Sequence, residues 1–340
     1  MYLAIKEIKK EKGRFAMIVL VMAFIAYLVF FLSSLAYGLA SINRTAIDHW
    51  DFDEITLRSD ANENILASFI TQQDLEASNS NETDTMRIRG VSFKLVDEPI
   101  DAILVGASIE RYPEIVRLKS GHYPESKNEV LLSYDVFKSN DYKLGDTLAL
   151  TKYGTYEIVG VTESSNYNTR PVLYTNLEGS QLGEGDPVSL VIGSKVVSDE
   201  FVSLTKSQVI DNLPGYQAQI LTFGLMIGSL SIISALIIGV FMYILTMQKK
   251  PIFGILKVQG FKNKTIIQSI IIQTFLLTIV GLALGFVLSE VTCIFLKGLV
   301  PVATYLPLSL GVTLAMVAFS LFGSLFSSRI ILKIDPLKSL

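Results

Sequence analysis

The sequence predicts an α-helical integral membrane protein with four transmembrane helices, arranged one plus three, and a large extracytoplasmic α/β domain between spans one and two. Two observations carry this. Four runs, Phe15–Ala40, Ile220–Met247, Ile266–Leu288 and Leu308–Ser328, contain no Asp, Glu, Lys or Arg. Residues 41–218, between the first run and the second, are polar and acidic and hold no such run. At about 1.5 Å per helical residue each run covers a hydrocarbon core of roughly 30 Å. A soluble core of buried helices would tolerate 50% hydrophobic residues, but not four such runs with a mean hydropathy of +0.45.

The order of elements follows from charge. Residues 1–14 place Met1, Ile5, Ile8 and Lys12 on one helical face, with Lys6, Lys9 and Lys10 elsewhere. This reads as an amphipathic helix along the inner interface, or as a plain basic topogenic tail. The first span, 15–40, follows. Basic residues precede it as they do in a signal peptide, but its apolar part exceeds the roughly 7–15 residues of such a segment, so an uncleaved span is expected. The remaining segments are a domain at 41–218, spans at 219–247, 265–296 and 308–328, a connection at 248–264 and a tail at 329–340. Lys249, Lys250, Lys257, Lys262 and Lys264 crowd the connection, and Arg329, Lys333 and Lys338 the tail, whereas the loop between spans three and four has Lys297 alone. By the positive-inside rule both termini are cytoplasmic and the domain lies outside.

The overall charge of −3 hides two compartments. Residues 41–218 carry 28 acidic and 15 basic residues, while the rest of the chain has 4 acidic and 14 basic. Neither basic cluster interleaves aromatics as a nucleic-acid groove does, so the expected contacts are membrane lipid and a protein partner, with no nucleic acid. Cys293 is the only cysteine. No intrachain disulfide is available, and the domain must be stable through its own core.

Within the domain, Ile65, Leu66, Phe69 and Ile70 recur at helical spacing, and Thr71 with Asp74 is suited to capping a following turn. Asn79-Ser80-Asn81 is a loop, and the sequon at Asn81 is taken as chance. Met86–Val96, Ile103–Val105 and Glu129–Leu132 read as strands. Tyr142–Leu150 and Thr155–Thr162 read as a hairpin turning at Gly154. Catalytic chemistry is hard to find. There are two histidines, His49 and His122, and no HExxH, CxxC or G-x-S-x-G. No catalytic residue is assigned and no enzymatic activity is expected of this chain. The absence of G-x-x-x-x-G-K-[ST] excludes nucleotide binding by a P-loop within it.

The connection reads QKKPIFGILKVQGFKNK. Pro251 and Gly254 are expected to interrupt the helix, Ile255, Leu256 and Val258 form an apolar patch, and Gly260 permits a turn. Such a segment is either a short helix that docks into a groove of another protein or an ordinary loop. Gly224-x-x-x-Gly228 and Gly281-x-x-x-Gly285 offer small faces for close helix packing, and Gln273 is expected to bond a neighbouring helix.

Several segments together resemble ABC-transporter permeases of the FtsX/MacB superfamily. They are Leu3–Ile8 before span one, Gly254–Gly260 after span two and the closing Asp335-Pro336-Leu337. Gly121-His122-Tyr123-Pro124 with Asn128–Leu132, and Leu144–Leu148 before Tyr156–Val161, resemble the family's outer domain. The resemblance covers essentially the whole chain. It implies a homodimer of four-span subunits working with a separate cytoplasmic ABC ATPase dimer that binds the ATP. Gly254, Ile255, Leu256, Lys257 and Gly260 would then be the element pressed onto the ATPase.

Phe30–Ala40, Tyr216-Gln217-Ala218 and Tyr243–Gln248 are most similar to the haem-exporter permeases of Gram-positive bacteria within that superfamily. That resemblance implies a cell-membrane exporter with haem as substrate, no intrinsic cofactor and no metal beyond haem iron. Haem iron takes His, Met, Cys or Tyr ligands. The candidates near the outer ends of spans one and two are Tyr37, Tyr216 and Met226, with Tyr167 and His49 just outside and Tyr174 a weaker addition. Interfacial tyrosines and a packing methionine give a bland alternative for each. Other functions open to the same machine are ATP-driven mechanotransmission to an outer partner, as in FtsX-like proteins, and export of a peptide or lipid.

Overall fold

The computed structural model describes residues 11–77, 84–95, 98–193 and 199–332. The chain divides into two compact units, Ala40–Gln219 and Met1–Leu39 with Ile220–Leu340. The amphipathic reading of residues 1–10, the loop and sequon near Asn81 and the end of the tail lie outside the described residues.

The α/β domain is built on eleven strands: β1 (Glu54–Arg58), β2 (Thr85–Leu95), β3 (Glu98–Ala107), β4 (Leu118–Gly121), β5 (Glu129–Ser133), β6 (Thr147–Leu150), β7 (Gly154–Thr162), β8 (Asn166–Tyr167), β9 (Arg170–Asn176), β10 (Leu190–Ile192) and β11 (Phe201–Thr205). The main path runs β11-β1-β10-β2-β3-β9-β5-β7-β4, with β6 pairing both β2 and β7 and β8 pairing β9. β3 with β9 and β5 with β7 are parallel; the other pairs are antiparallel. Because β6 meets β2 at Phe93↔Leu150, the strands β2-β3-β9-β5-β7-β6 return on themselves as a ring.

Alternation along these strands fills both sides of the ring. Phe93, Leu104, Leu132, Leu148, Leu150, Ile158 and Leu173 form one cluster, while their neighbours Ile88, Ile103, Val105, Leu131 and Val172 join a second. A strand buried on both faces reads as a continuous apolar run, which is why Ile103–Val105 lacks polar alternation. The second cluster also holds Trp50, Tyr112, Tyr167, Tyr174 and Tyr216.

Three expectations for the domain need correction. Ile65–Ala67 is one 3₁₀ turn rather than an α-helix, and Ile70 leaves it to bridge Val188. Pairing with a distant segment outweighs the local helical spacing there. The first strand of the hairpin begins at Thr147, five residues later than Tyr142, because Gly145 turns the chain at φ +90°. Tyr167 lies in the polar stretch Ser164–Arg170, where an aromatic is expected to have no core role, yet it sits in the core at 2% exposure. The Thr71–Asp74 cap is present: the Thr71 amide and hydroxyl both donate to Asp74 Oδ2 at 2.8 Å, ahead of the helix Gln72–Ala77.

The second unit contains most of α1 (Lys12–Ile42) and of α2 (Tyr216–Gln248), whose outer ends belong to the α/β domain, with α3 (Lys250–Val258), α4 (Asn263–Leu296) and α5 (Leu306–Leu332). Helices α1, α2, α4 and α5 are each long and apolar enough to cross a membrane. Helix α5 continues to Leu332, past the start expected for the tail at 329. The α1–α4 contact is set by two glycines. A Cβ on Gly281 would lie 2.6 Å from Met22 Cβ, and one on Gly285 would lie 2.7 Å from the Ala23 carbonyl oxygen. With little hydrophobic drive between helices in lipid, close backbone approach of this kind supplies dispersion contact. Gly239 on α2 and Gly323 on α5 meet in the same way. Buried hydroxyls bond back along their own helices, as Ser33 does to the Val29 carbonyl at 2.7 Å and Ser320 to that of Met316 at 2.7 Å. Gln273, 3% exposed, is packed inside the bundle.

Candidate functional site

Two regions deserve the word site. The first is α3. The helical path breaks between Gln248 and Lys250, beside Pro251 as expected, but contrary to expectation Gly254 does not interrupt α3. Pro251 occupies the first turn, where its missing N–H costs nothing. Gly254 is buried, beside the buried Phe253, which packs with Phe15, Ile18, Leu245, Ile266 and Ile270. Leu256 leans on the same cluster. Ile252, Ile255 and Val258 recur every three residues and are exposed at 51%, 47% and 54%, with Phe261 exposed just beyond. Gly260 ends the helix with φ +89°, its amide donating to the Lys257 carbonyl at 3.0 Å and the Phe261 amide donating to that of Leu256 at 3.0 Å. This is a Schellman arrangement, which favours glycine at that position. Lys249 places its ammonium 5.3 Å from the centre of the Phe15 ring. The exposed stripe of Ile252 and Phe261 beside Ile255 was not singled out in the sequence, although its three-residue spacing was there to be read.

The second region comprises the candidate haem residues, which the structure divides. His49, Tyr167, Tyr174 and Tyr216 belong to the α/β domain. Trp50 stacks on Tyr167 at 6.4 Å and 22°, and its indole N–H donates to the Tyr174 hydroxyl at 3.3 Å. Ser165 Oγ lies 2.8 Å from the same hydroxyl. Burial raises the Tyr174 phenol to about 12 and raises that of Tyr167 further. Tyr216 is 8% exposed within this core. His49 Nε2 lies 3.9 Å from Glu163 Oε2. Burial, and then the charge of Arg117, lowers the His49 pKa and keeps the ring neutral at pH 7. These aromatic groups already hold partners in a packed core.

Tyr37 and Met226 belong to the helical unit. Tyr37 stacks on Tyr305 at 4.7 Å and 6°. The loop before Tyr305 is seated on α1: the Ala303 amide donates to the Ser34 carbonyl at 3.1 Å, and Pro301 abuts Gly38. Thr304 donates to Glu290 at 2.7 Å. Met226 is 45% exposed on α2. Gly224 and Gly228, on the same part of that helix, have open space where a side chain would begin. From residue 217 to 230, α2 buries no residue.

Comparison with known proteins bears on this bundle. Residues 224–336, which hold most of α2 and all of α3 and α4, match the family described as FtsX-like permease C-terminal. The chain carries an FtsX-like permease domain. A Staphylococcus haemolyticus protein named as hemin transport system permease protein HrtB is 28% identical to this ABC transporter permease, covering 100% of this chain and 99% of that one. A protein of the same name from Staphylococcus epidermidis is 24% identical, again over 100% and 99%. The extracellular domain of the noncanonic ABC-type transporter YknZ is similar over 46% of this chain and 100% of that one, at 12% identity and a TM-score of 0.33, which adds nothing to the assignment. A permease of an ABC system works with an ATPase subunit, and the FtsX-like permease domain is the part of the chain that holds α3.

Proposed function

We propose that this FtsX-like permease is the membrane subunit of an ATP-driven exporter that takes haem, or a similar flat hydrophobic compound, from the bilayer. The observation that carries the reading is similarity over the full chain to two permeases named for hemin transport. Two features support it. The unpacked start of α2, with Met226 between Gly224 and Gly228, offers a soft sulfur ligand beside an open face. The exposed stripe of Ile252, Ile255 and Val258 gives a cytoplasmic ATPase an apolar surface rimmed by Lys250 and Lys257. In this reading the termini are cytoplasmic, the α/β domain is outside, and two copies of the chain assemble with two ATPase subunits in a Gram-positive cell membrane. ATP-driven closure of the ATPases moves α3 and, through it, the start of α4.

The test is a reconstituted complex with the partner ATPase. Haem is expected to stimulate ATP hydrolysis and to be lost from the liposomes in an ATP-dependent manner. No stimulation by haem, together with unchanged haem tolerance in a strain lacking the gene, overturns the haem assignment. Stimulation by a peptide or lipid instead identifies another cargo. Turnover that responds only to an outer protein partner identifies mechanotransmission.

A further inference from the structure

The α/β domain contains a cleft of about 530 Å³ that has no role in the reading above. Its size falls in the roughly 300–1,000 Å³ range of ligand pockets. The floor is apolar and fixed. Ile70 and Val188 are buried together and exchange backbone hydrogen bonds of 2.8 and 3.0 Å, and Leu75 and Leu177 pack against them. One wall is stapled by Arg87, which is 4% exposed. Its guanidinium donates to the carbonyls of Leu177 at 2.6 Å, Asp186 at 2.8 Å and Pro187 at 3.2 Å, and to Ser180 Oγ at 3.2 Å. Arg87, the only cation in the lining among the described residues, is thus committed to holding the wall.

The other charges in the lining are all negative: Glu76, Glu125, Glu178 and Asp186. Asp186 faces Arg87 and Arg89 at 3.6 and 3.5 Å. The remaining three carboxylates make no side-chain hydrogen bond or ion pair among the described residues. Like charges gathered around an apolar hollow focus a negative potential into it, and the complement is a cation that carries apolar surface. We infer that this cleft binds a short cationic amphipathic peptide segment. An apolar side chain packs over Leu75, Leu177 and Ile109, above the buried Ile70–Val188 pair, and flanking lysines or arginines meet Glu76, Glu125 and Glu178.

The experiment uses the full-length protein in lipid nanodiscs and a fluorescent, amidated tetrapeptide of alternating leucine and lysine, read by anisotropy. Saturable binding is expected, and it should weaken as salt is raised. The triple variant E76Q/E125Q/E178Q should weaken it by roughly tenfold or more, the scale of three partly exposed charge pairs. I109K, which puts a cation on an exposed lining residue, should abolish it. D53N/D101N/D211N makes the same change of charge at three exposed residues outside the cleft and should leave affinity unchanged. Absence of saturable binding, equal weakening by the two triple variants, or wild-type binding by I109K each overturns the assignment. Circular dichroism confirms that every variant is folded.

Discussion

Gly285 faces Ala26 so closely that a methyl on the glycine would lie 2.5 Å from the alanine methyl. Gly285→Leu is therefore expected to force α1 and α4 apart and to cost about 1–3 kcal/mol or more, as overpacking does. Gly228→Leu adds the same side chain where nothing lies within 4 Å, so the subunit should keep its melting temperature. Thermal unfolding in detergent compares the two. Loss of a dimer on native mass measurement of Gly228→Leu would place a second copy on that face.

Gly260→Val puts a β-branched residue at φ +89°, a conformation costing roughly 1–2 kcal/mol for an L-residue. The end of α3 should unravel while the spans stay assembled, so that the complex purifies but loses substrate-stimulated ATP hydrolysis. Ile255→Asp changes only an exposed residue and should give the same loss without strain. ATPase assays on purified complexes decide.

Removing Arg87 leaves the Asp186 carbonyl without its donor and takes one of two donors from the Leu177 and Pro187 carbonyls, which keep Ser180 and Arg89. Arg87→Met should destabilise the α/β domain by about 3 kcal/mol or more, the scale of a broken buried charge network. Arg87→Lys should recover little, because one ammonium cannot span the same acceptors. Limited proteolysis between residues 177 and 188, alongside thermal melts, reports the effect.

Buried phenols make the domain sensitive to alkali. Burial raises Tyr174 and Tyr156 to about 12 from an ordinary value of 10.0. A group whose folded pKa is raised lends stability that is complete below its unfolded pKa and is lost as pH climbs to the folded one. The domain should hold to about pH 10 and weaken from there to about pH 12. Phenolate absorbance from these residues should appear together with loss of structure, not before it.

Among the candidate haem residues, Met226→Leu should lower haem-stimulated ATP hydrolysis severalfold without altering the melting temperature. Tyr167→Phe removes a hydroxyl from a packed core and should act on stability alone. Activity and melting measured on the same preparations separate the two.

Local chemistry made some features legible. Uncharged runs announced α1, α2, α4 and α5, and the Thr71–Asp74 cap could be read from two residues three apart. What sequence could not show depends on distant partners. The 3₁₀ turn at Ile65 exists because Ile70 pairs with Val188, 118 residues away. Tyr167 lies among polar residues in the sequence, and its core role comes from Trp50, a distant residue that stacks on it. Pro251 marks a real break, between Gln248 and Lys250, whereas Gly254 reads as one only because the pattern does not reveal that it packs inside α3. The cleft was invisible for the same reason, since residues near 70, 87, 125 and 186 converge only in the fold.

The closed ring of the α/β domain has a final implication. Its seams are unequal. β2 and β3 share ten residue pairs, and β3–β9 and β5–β7 share five each, while β2–β6 and β5–β9 share one apiece. The ring is thus two stiff staves, β2-β3-β9 and β5-β7-β6, joined at two weak joints. A push on one stave would turn it against the other instead of being absorbed by a uniform sheet, so the domain is jointed like a clasp.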